Sequence, residues 1–166
     1  MKIDVSDIVK TNGASMKVEC STELEDLGPE FSDYVFGEPI RFSGTMVNVG
    51  GLLKLKGRLD AKYTVKCYRC LKDVNREMGI DIKEDILNPQ TNTDDESYTY
   101  EDNYVDIDRV LKDNIILNLP MKQLCSESCK GLCEICGNDL NIKECNCKKE
   151  QNINPSLEAL KKFFNS

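Results

Sequence analysis

The chain has 166 residues, a formal net charge of −7 and no histidine. The absence of histidine excludes Ser–His and Cys–His nucleophilic catalysis, and it leaves cysteine and carboxylate as the side chains that could hold zinc. The acidic balance gives no general attraction to nucleic acid, so any RNA contact needs a local basic patch. With 40% hydrophobic and 31% charged residues and no apolar run of membrane-spanning length, the composition fits a soluble globular domain.

The first residues of the chain contain short strand signals but no chemical motif. Apolar and polar residues alternate in residues 1–5 and 15–20, which predicts two strands, and residues 8–13 predict a turn. Cys20 has no cysteine at metal-ligand spacing, so we expect it to be a half-buried small hydrophobic residue. Because residues 1–10 lack the apolar core of a secretory signal, we expect a cytoplasmic protein.

The clearest strand signals lie in residues 40–46, 53–67 and 74–82, where apolar and polar residues alternate. Alternation over this length predicts antiparallel strands with one buried face and one wet face. The second and third strands form a long hairpin, and its tip carries the pair Cys67 and Cys70 in the sequence CYRC. Gly57, within the longest strand, predicts a bend or bulge.

The wet face of the 53–67 strand is basic. It presents Lys54, Lys56, Arg58, Lys62 and Lys66, and Arg69 follows at the hairpin tip. We interpret these six residues as a candidate RNA-binding surface, because positive charge is concentrated there in an acidic protein. An ordinary solvated sheet face explains the same spacing equally well, and base stacking is not indicated, because Tyr68 is the only aromatic residue nearby.

An acidic segment and a helix follow the hairpin. Residues 84–108 contain nine carboxylates and no basic residue, and residues 88–104 therefore predict a mobile acidic loop. Asp106 is the predicted N-cap of a helix that packs on the sheet and ends before Pro120. The apolar stripe of this helix consists of Ile107, Val110, Leu111, Ile115 and Leu119.

Residues 125–147 are the most informative stretch, with six cysteines in CSESCKGLCEICGNDLNIKECNC. The CEICG portion is typical of a zinc knuckle, in which a glycine allows the tight turn that directs backbone N–H groups at the sulfurs. With the hairpin pair, eight clustered cysteines predict two four-cysteine zinc sites. We assign Cys133, Cys136, Cys145 and Cys147 to one site because short loops cost least to close. The other site then consists of Cys67, Cys70, Cys125 and Cys129.

Other arrangements of these cysteines are open. A zinc ribbon would instead combine the two knuckles, Cys67/Cys70 with Cys133/Cys136. A disulfide framework needs an oxidising compartment and fits poorly with nine cysteines, an odd number. An iron–sulfur cluster is also held by four thiolates, but the spacing does not match the ferredoxin patterns.

The sequence predicts an α+β fold. Its parts are an antiparallel sheet (a meander or partly closed barrel), one packing helix, the Cys-rich zinc-binding segment and a short C-terminal helix. The helix signal is Asn154 as N-cap, Pro155 at the first helical position, and an apolar face that docks. Residues 1–120 form the predicted sheet domain, and residues 121–166 form the zinc segment and C-terminal helix docked on it.

Several of these segments together resemble the YceD family, whose members are called large ribosomal RNA subunit accumulation proteins. They are CYRC, ILNLP, MKQLCSESCKGLCEICGNDLN, CNC and NPSLEALKKF, and the resemblance covers roughly residues 36–164. It implies a role in the maturation or accumulation of large-subunit (23S) ribosomal RNA in bacteria and plastids, with no established catalytic residues. Ser156 stands where members commonly have arginine, so contacts of that arginine do not transfer. Some members lack most of the cysteines, which implies that the metal stabilises the fold.

Three classes of function compete. The first is a ribosome-assembly factor that binds ribosomal RNA, a pre-large-subunit particle or a ribosomal protein. The second is a zinc-stapled protein–protein adaptor without RNA contact, and RNA that co-purifies with the protein would separate the two. The third is a zinc enzyme or thiol redox switch, but catalytic zinc needs an open coordination position that closed four-cysteine sites lack. We therefore expect a non-catalytic monomer of the first class, with no membrane and no small-molecule substrate.

Overall fold

A mixed, curled β-sheet dominates the computed structural model, which describes residues 1–23, 27–88 and 97–147. The strands are β1 (Lys2–Asp4), β2 (Ser15–Thr22), β3 (Tyr34–Val35), β4 (Ile40–Val49), β5 (Leu52–Lys66), β6 (Asp73–Leu87), β7 (Tyr98–Glu101) and β8 (Tyr104–Asp106). The helices are α1 (Ser6–Val9), α2 (Ile107–Asn118) and a 3-10 turn (Pro29–Phe31). The strand order is β1-β8-β7-β6-β5-β4-β2, and β3 pairs with β5 where β4 has ended.

The predicted alternation in β4, β5 and β6 is confirmed. The hairpin of β5 and β6 pairs without interruption from Leu53 opposite Ile86 to Lys66 opposite Asp73. The inward residues of β5 are buried, and Leu53, Leu55 and Leu59 are each 0% exposed. A half-buried pleated surface with one apolar face is what period-two patterning dictates, so the sequence determined which side of this hairpin meets the core.

Gly57 does not mark a bulge, because its register with Gly44 on β4 and Ile82 on β6 is continuous. Its role is close packing. A Cβ atom at Gly57 would lie 2.5 Å from the carbonyl oxygen of Ser43 and 2.6 Å from the Cζ atom of Phe42. The two facing glycines leave room for the Phe42 ring, which is 2% exposed.

The prediction of a purely antiparallel sheet is wrong at one pair, because β7 runs parallel to β6, with Ile86 opposite Tyr98. The predicted acidic loop is also wrong in part, since β7 lies within residues 88–104 and β8 begins at Tyr104. The polar composition concealed a short strand in which Tyr100 is buried and the Tyr98 hydroxyl donates to Asp113. Aromatic residues favour strands even within acidic surroundings. Residues 89–96 of that predicted loop lie outside the described residues.

The short helix α1 was not predicted, and its last two residues lie where the sequence predicted a turn. Its Ile8 is buried, and the Asn48 side chain donates hydrogen bonds to the carbonyl oxygens of Ile8 (2.7 Å) and Val9 (2.9 Å). Asn48 is itself 2% exposed, so it fixes α1 to the end of β4. A four-residue helix carries too little periodicity to be found from sequence, and this tertiary contact stabilises it.

The packing helix α2 is confirmed and buries the predicted stripe: Ile107, Val110, Leu111, Ile115 and Leu119. Asp106 occupies the N-cap position, but its side chain makes no capping hydrogen bond. Asn114 also faces inward, and its amide donates to the Glu84 carboxylate on β6 at 2.8 Å. The predicted C-terminal helix falls outside the described residues. None of the helices in the described ranges is long and apolar enough to cross a membrane.

Candidate metal centres and the basic face

The first group of four cysteines lies at the tip of the β5–β6 hairpin. Cys67 and Cys70 occupy the turn, where the Cys67 N–H donates to the Lys72 carbonyl oxygen at 2.8 Å. Leu71 adopts a left-handed conformation with φ of 60°, which closes the turn. Cys125 and Cys129 come from the segment after α2, so that this tetrad joins the middle of the chain to its C-terminal third.

Sulfur–sulfur distances in this tetrad fit a metal and exclude a disulfide. The Cys67 and Cys129 sulfurs are 3.9 Å apart, and the Cys70 and Cys125 sulfurs are 3.6 Å apart. A tetrahedral site with Zn–S bonds of about 2.3 Å has sulfurs about 3.8 Å apart, whereas a disulfide bond is about 2.05 Å long. All nine cysteines are free thiols.

Backbone and arginine hydrogen bonds hold the segment after α2 against the hairpin. The Tyr68 N–H donates to the Gln123 carbonyl oxygen at 2.8 Å, and the Arg76 guanidinium donates to that of Leu124 at 2.7 Å. Arg69 donates in the same way to the Cys129 carbonyl oxygen at 2.7 Å. These contacts place Cys125 and Cys129 beside Cys67 and Cys70.

The second tetrad is local in sequence and consists of Cys133, Cys136, Cys145 and Cys147, whose sulfurs lie within 4.8 Å of one another. Gly137 has a φ of 70°, and its N–H donates to the Cys133 carbonyl oxygen at 2.9 Å. The tight glycine turn expected of a zinc knuckle is therefore present. Both tetrads contain the residues that the sequence analysis grouped together, and the ribbon arrangement of the two knuckles does not occur among the described residues.

Polar contacts between the two tetrads hold them as neighbours. The Lys72 ammonium pairs with the Asp139 carboxylate at 2.8 Å, and the Leu132 N–H donates to the Arg69 carbonyl oxygen at 3.1 Å. The Asn141 amide, beside the second tetrad, donates to the Cys129 sulfur of the first tetrad at 3.5 Å. Sequence reasoning missed Lys72, Asp139 and Asn141, because the partner of a lone polar residue is set by the tertiary structure.

The two tetrads differ in burial. Cys67, Cys70 and Cys129 are 0%, 5% and 2% exposed, and they pack with Val74, Leu124 and Leu132 in a small apolar cluster. None of the second tetrad's cysteines is buried. Because Cys125 is exposed, a metal in the first tetrad would be shielded from solvent and chelators on the side of its three buried sulfurs, whereas no buried sulfur would shield a metal in the second tetrad.

Backbone N–H groups prepare one thiolate in each tetrad. Burial opposes ionisation of Cys67, but the N–H groups of Cys70, Cys125 and Arg69 together lower the pKa of its thiol to about 6. The Cys136 and Ile135 N–H groups lower the pKa of Cys133 to about 6. In contrast, neighbouring sulfurs raise the pKa of Cys147 to about 12. Each tetrad therefore contains one cysteine with a lowered pKa and three further cysteine sulfurs, and four such ligands suit tetrahedral zinc.

Zinc affinity is expected to fall as the pH is lowered. The pKa of Cys147 is about 12, so its thiol keeps its proton at neutral pH and zinc must displace that proton. Each displaced proton makes the affinity fall about tenfold per pH unit, and the slope steepens below about pH 6, where Cys67 and Cys133 also gain protons. Competition with a chromophoric chelator between about pH 8 and pH 5 measures this, and a pH-independent affinity would contradict it.

The predicted basic face is exposed but largely ion-paired. Lys54 pairs with Asp85 at 2.9 Å, and Arg58 pairs with Asp81 at 3.2 Å. Lys62 lies 3.4 Å from Glu38 and 4.0 Å from Glu77. Lys56 and Lys66 have no such carboxylate partner within the described residues, and the Arg69 guanidinium donates to the Cys129 carbonyl oxygen. Whether this face contacts RNA stays a prediction.

A family model and the name of a plant relative point to one family. The family model described as Large ribosomal RNA subunit accumulation protein YceD matches residues 55–164. The Bacillus subtilis (strain 168) Uncharacterized protein YlbN is 28% identical over 167 residues, covering 99% of this chain and 96% of its own length. The Arabidopsis thaliana Large ribosomal RNA subunit accumulation protein YCED homolog 1, chloroplastic, is 22% identical over 177 residues, covering 88% of this chain and 53% of its own length. No solved structure matches the chain significantly.

Proposed function

Because the chain belongs to the YceD family, we propose that it is a non-catalytic, zinc-binding factor that supports the accumulation of large-subunit ribosomal RNA during ribosome assembly. The family match is the observation that carries this proposal. It is supported by the printed name of the Arabidopsis relative, which also refers to large-subunit ribosomal RNA. The proposed setting is the cytoplasm, where precursor 23S RNA meets ribosomal proteins.

In this proposal the zinc ions are structural. Each tetrad supplies four sulfurs, which fill a tetrahedral coordination shell and leave no position for an activated water. Zinc in the first tetrad would hold the segment after α2 against the β5–β6 hairpin, and zinc in the second would stabilise the loop of residues 133–147. Both zinc ions therefore make the hairpin end of the sheet rigid in this proposal.

The second candidate, a protein–protein adaptor without RNA contact, is favoured by one observation. Three of the five cations on the outer face of β5 are already paired with carboxylates, and the whole chain carries a net charge of −7. An acidic surface of this kind attracts basic partners, and ribosomal proteins are such partners.

Depletion of the protein tests the proposal. Cells in which it is depleted should lose free and assembled large subunits in sucrose gradients, with a lowered ratio of 23S to 16S RNA. The tagged protein should sediment with pre-large-subunit particles and retain RNA after purification. An unchanged 23S level after depletion would overturn the proposal. Association that survives nuclease treatment, with no RNA retained, would favour the adaptor.

A further inference from the structure

One row of residues across the sheet breaks the charge balance of its outer face. The pairing register places Lys17 of β2 opposite Thr45 of β4, Thr45 opposite Lys56 of β5, and Lys56 opposite Lys83 of β6. Paired residues lie on the same face of a sheet, so these four side chains form one line perpendicular to the strands. All four are exposed. We call Lys17, Lys56 and Lys83 the lysine row.

The neighbouring rows are built differently, because each of them places a cation of β5 opposite a carboxylate of β6. Lys54 faces Asp85 on one side of the lysine row, and Arg58 faces Asp81 on the other, both at ion-pair distance. In the lysine row a cation faces a cation. Among the residues that the structure describes, no carboxylate forms an ion pair with any of the three lysines.

Like charges directly opposite each other on adjacent strands destabilise a sheet by roughly 0.2–1 kcal/mol. The same face shows that opposite charges fit at this position, since the two adjoining rows have them. A local rule that is broken at one row, without a compensating contact, points to a function for that row.

The geometry of the row suits a chain of phosphates. Neighbouring strands lie about 4.8 Å apart, so the four-strand row is about 14 Å long and presents its ammonium groups along one line. The strands cannot shift, because Met46, Leu55 and Ile82 anchor their opposite face and are 0%, 0% and 1% exposed. Thr45 has a shorter side chain than the lysines on either side of it, which leaves room for a ligand between Lys17 and Lys56.

The flanking ion pairs add to this surface. Asp81 is 73% exposed and Asp85 is 54% exposed, so their bridges to Arg58 and Lys54 are worth little in water. A phosphate can replace either carboxylate at small cost. In the three rows together there are five cations and three carboxylates, so this area is net cationic although the protein is acidic.

We propose that the lysine row is where this protein grips the phosphate backbone of RNA. The inference rests on the proposed function and deepens it, because it names the surface and the chemical group that are recognised. It also changes the direction of the contact. The RNA strand crosses β2, β4, β5 and β6 instead of running along β5, and Lys62, Lys66 and Arg69 lie beyond it.

Two triple variants of the full-length, zinc-loaded protein test this inference. The row variant carries Lys17→Gln, Lys56→Gln and Lys83→Gln, and the control variant carries Lys2→Gln, Lys10→Gln and Lys112→Gln, which lie outside the candidate RNA-binding surface. Both remove three positive charges, so they differ in the position of those charges alone. Zinc content and far-UV circular dichroism verify that both are folded.

The binding probe is a fluorescein-labelled, mixed-sequence RNA of about 30 nucleotides, followed by fluorescence anisotropy across a salt series. The row variant should bind at least about tenfold more weakly, and its log–log salt slope should fall by about 2, because each lost phosphate contact removes 0.7–0.9 from the slope. The control should stay within about threefold of the wild type. Equal losses of RNA affinity in the two variants, or an unchanged affinity of the row variant, would overturn the inference that the lysine row binds RNA.

Expression of the row variant in depleted cells separates this inference from the proposed function. Restored 23S RNA with the wild type but not with the row variant supports both. If the row variant also restores 23S RNA, the inference about the lysine row is overturned, and the proposed function is unaffected. A row variant that binds RNA normally but no longer associates with pre-large-subunit particles would show that the surface contacts an acidic protein. That result also overturns the inference.

Discussion

Cys67→Ser is expected to destabilise the whole sheet by about 4 kcal/mol, whereas Cys133→Ser should leave the sheet within about 1 kcal/mol of the wild type. The first tetrad joins residues 55 apart in sequence, such as Cys70 and Cys125. By the loop-entropy relation for cross-links, a loop of that length corresponds to about 4 kcal/mol. The second tetrad closes a short loop outside the sheet, so its loss stays local.

The two serine variants form a matched pair. Each removes the one thiol whose pKa is lowered to about 6 by backbone N–H groups, and each should reduce zinc from two ions per chain to one. Metal analysis and thermal unfolding followed by circular dichroism in the far ultraviolet measure both effects. Equal falls in melting temperature would show that burial and loop length do not distinguish the tetrads. A wild type without metal would refute both assignments.

Gly57→Ala is expected to cost about 3 kcal/mol or more, an unusually large effect for a single methyl group. The new Cβ would lie 2.5 Å from a backbone oxygen and 2.6 Å from atoms of Phe42 and Gly44, so strands β4 and β5 would have to separate. The disturbance occurs beside Lys56, so the variant should also weaken RNA binding if the lysine row is correct.

Gly37→Ala is the control for this variant, because no atom lies within 4 Å of a Cβ built there and its backbone does not require glycine. It should be neutral, or stabilising by up to about 1 kcal/mol through the lower entropy of the unfolded chain. Urea unfolding curves of the two variants give the comparison. A Gly57→Ala protein as stable as the control would mean that the strand pair can open at this point without cost.

Patterns that depend on neighbours in sequence were sufficient for much of the fold. Alternation in β5 and β6 predicted which residues face the core, because successive side chains of a strand point to opposite sides. The stripe in α2 did the same for the helix. The grouping of Cys133 with Cys136, Cys145 and Cys147 followed from the low cost of closing short loops.

Features that depend on distant residues required the tertiary structure. Strand β7, whose polar composition predicted a loop, pairs in parallel with β6. Helix α1 forms where the Asn48 side chain donates hydrogen bonds to its carbonyl oxygens. The contact of the Arg69 guanidinium with Cys129 joins residues 60 apart.

The lysine row shows the same division. The sequence by itself determined that Lys56 lies on the wet face of β5 among other cations. Only the register between strands decided that Lys17 and Lys83 share its line while Asp81 and Asp85 neutralise the neighbours on either side. The physical reason is that alternation fixes the side to which a residue points, whereas hydrogen bonding between strands fixes what stands beside it.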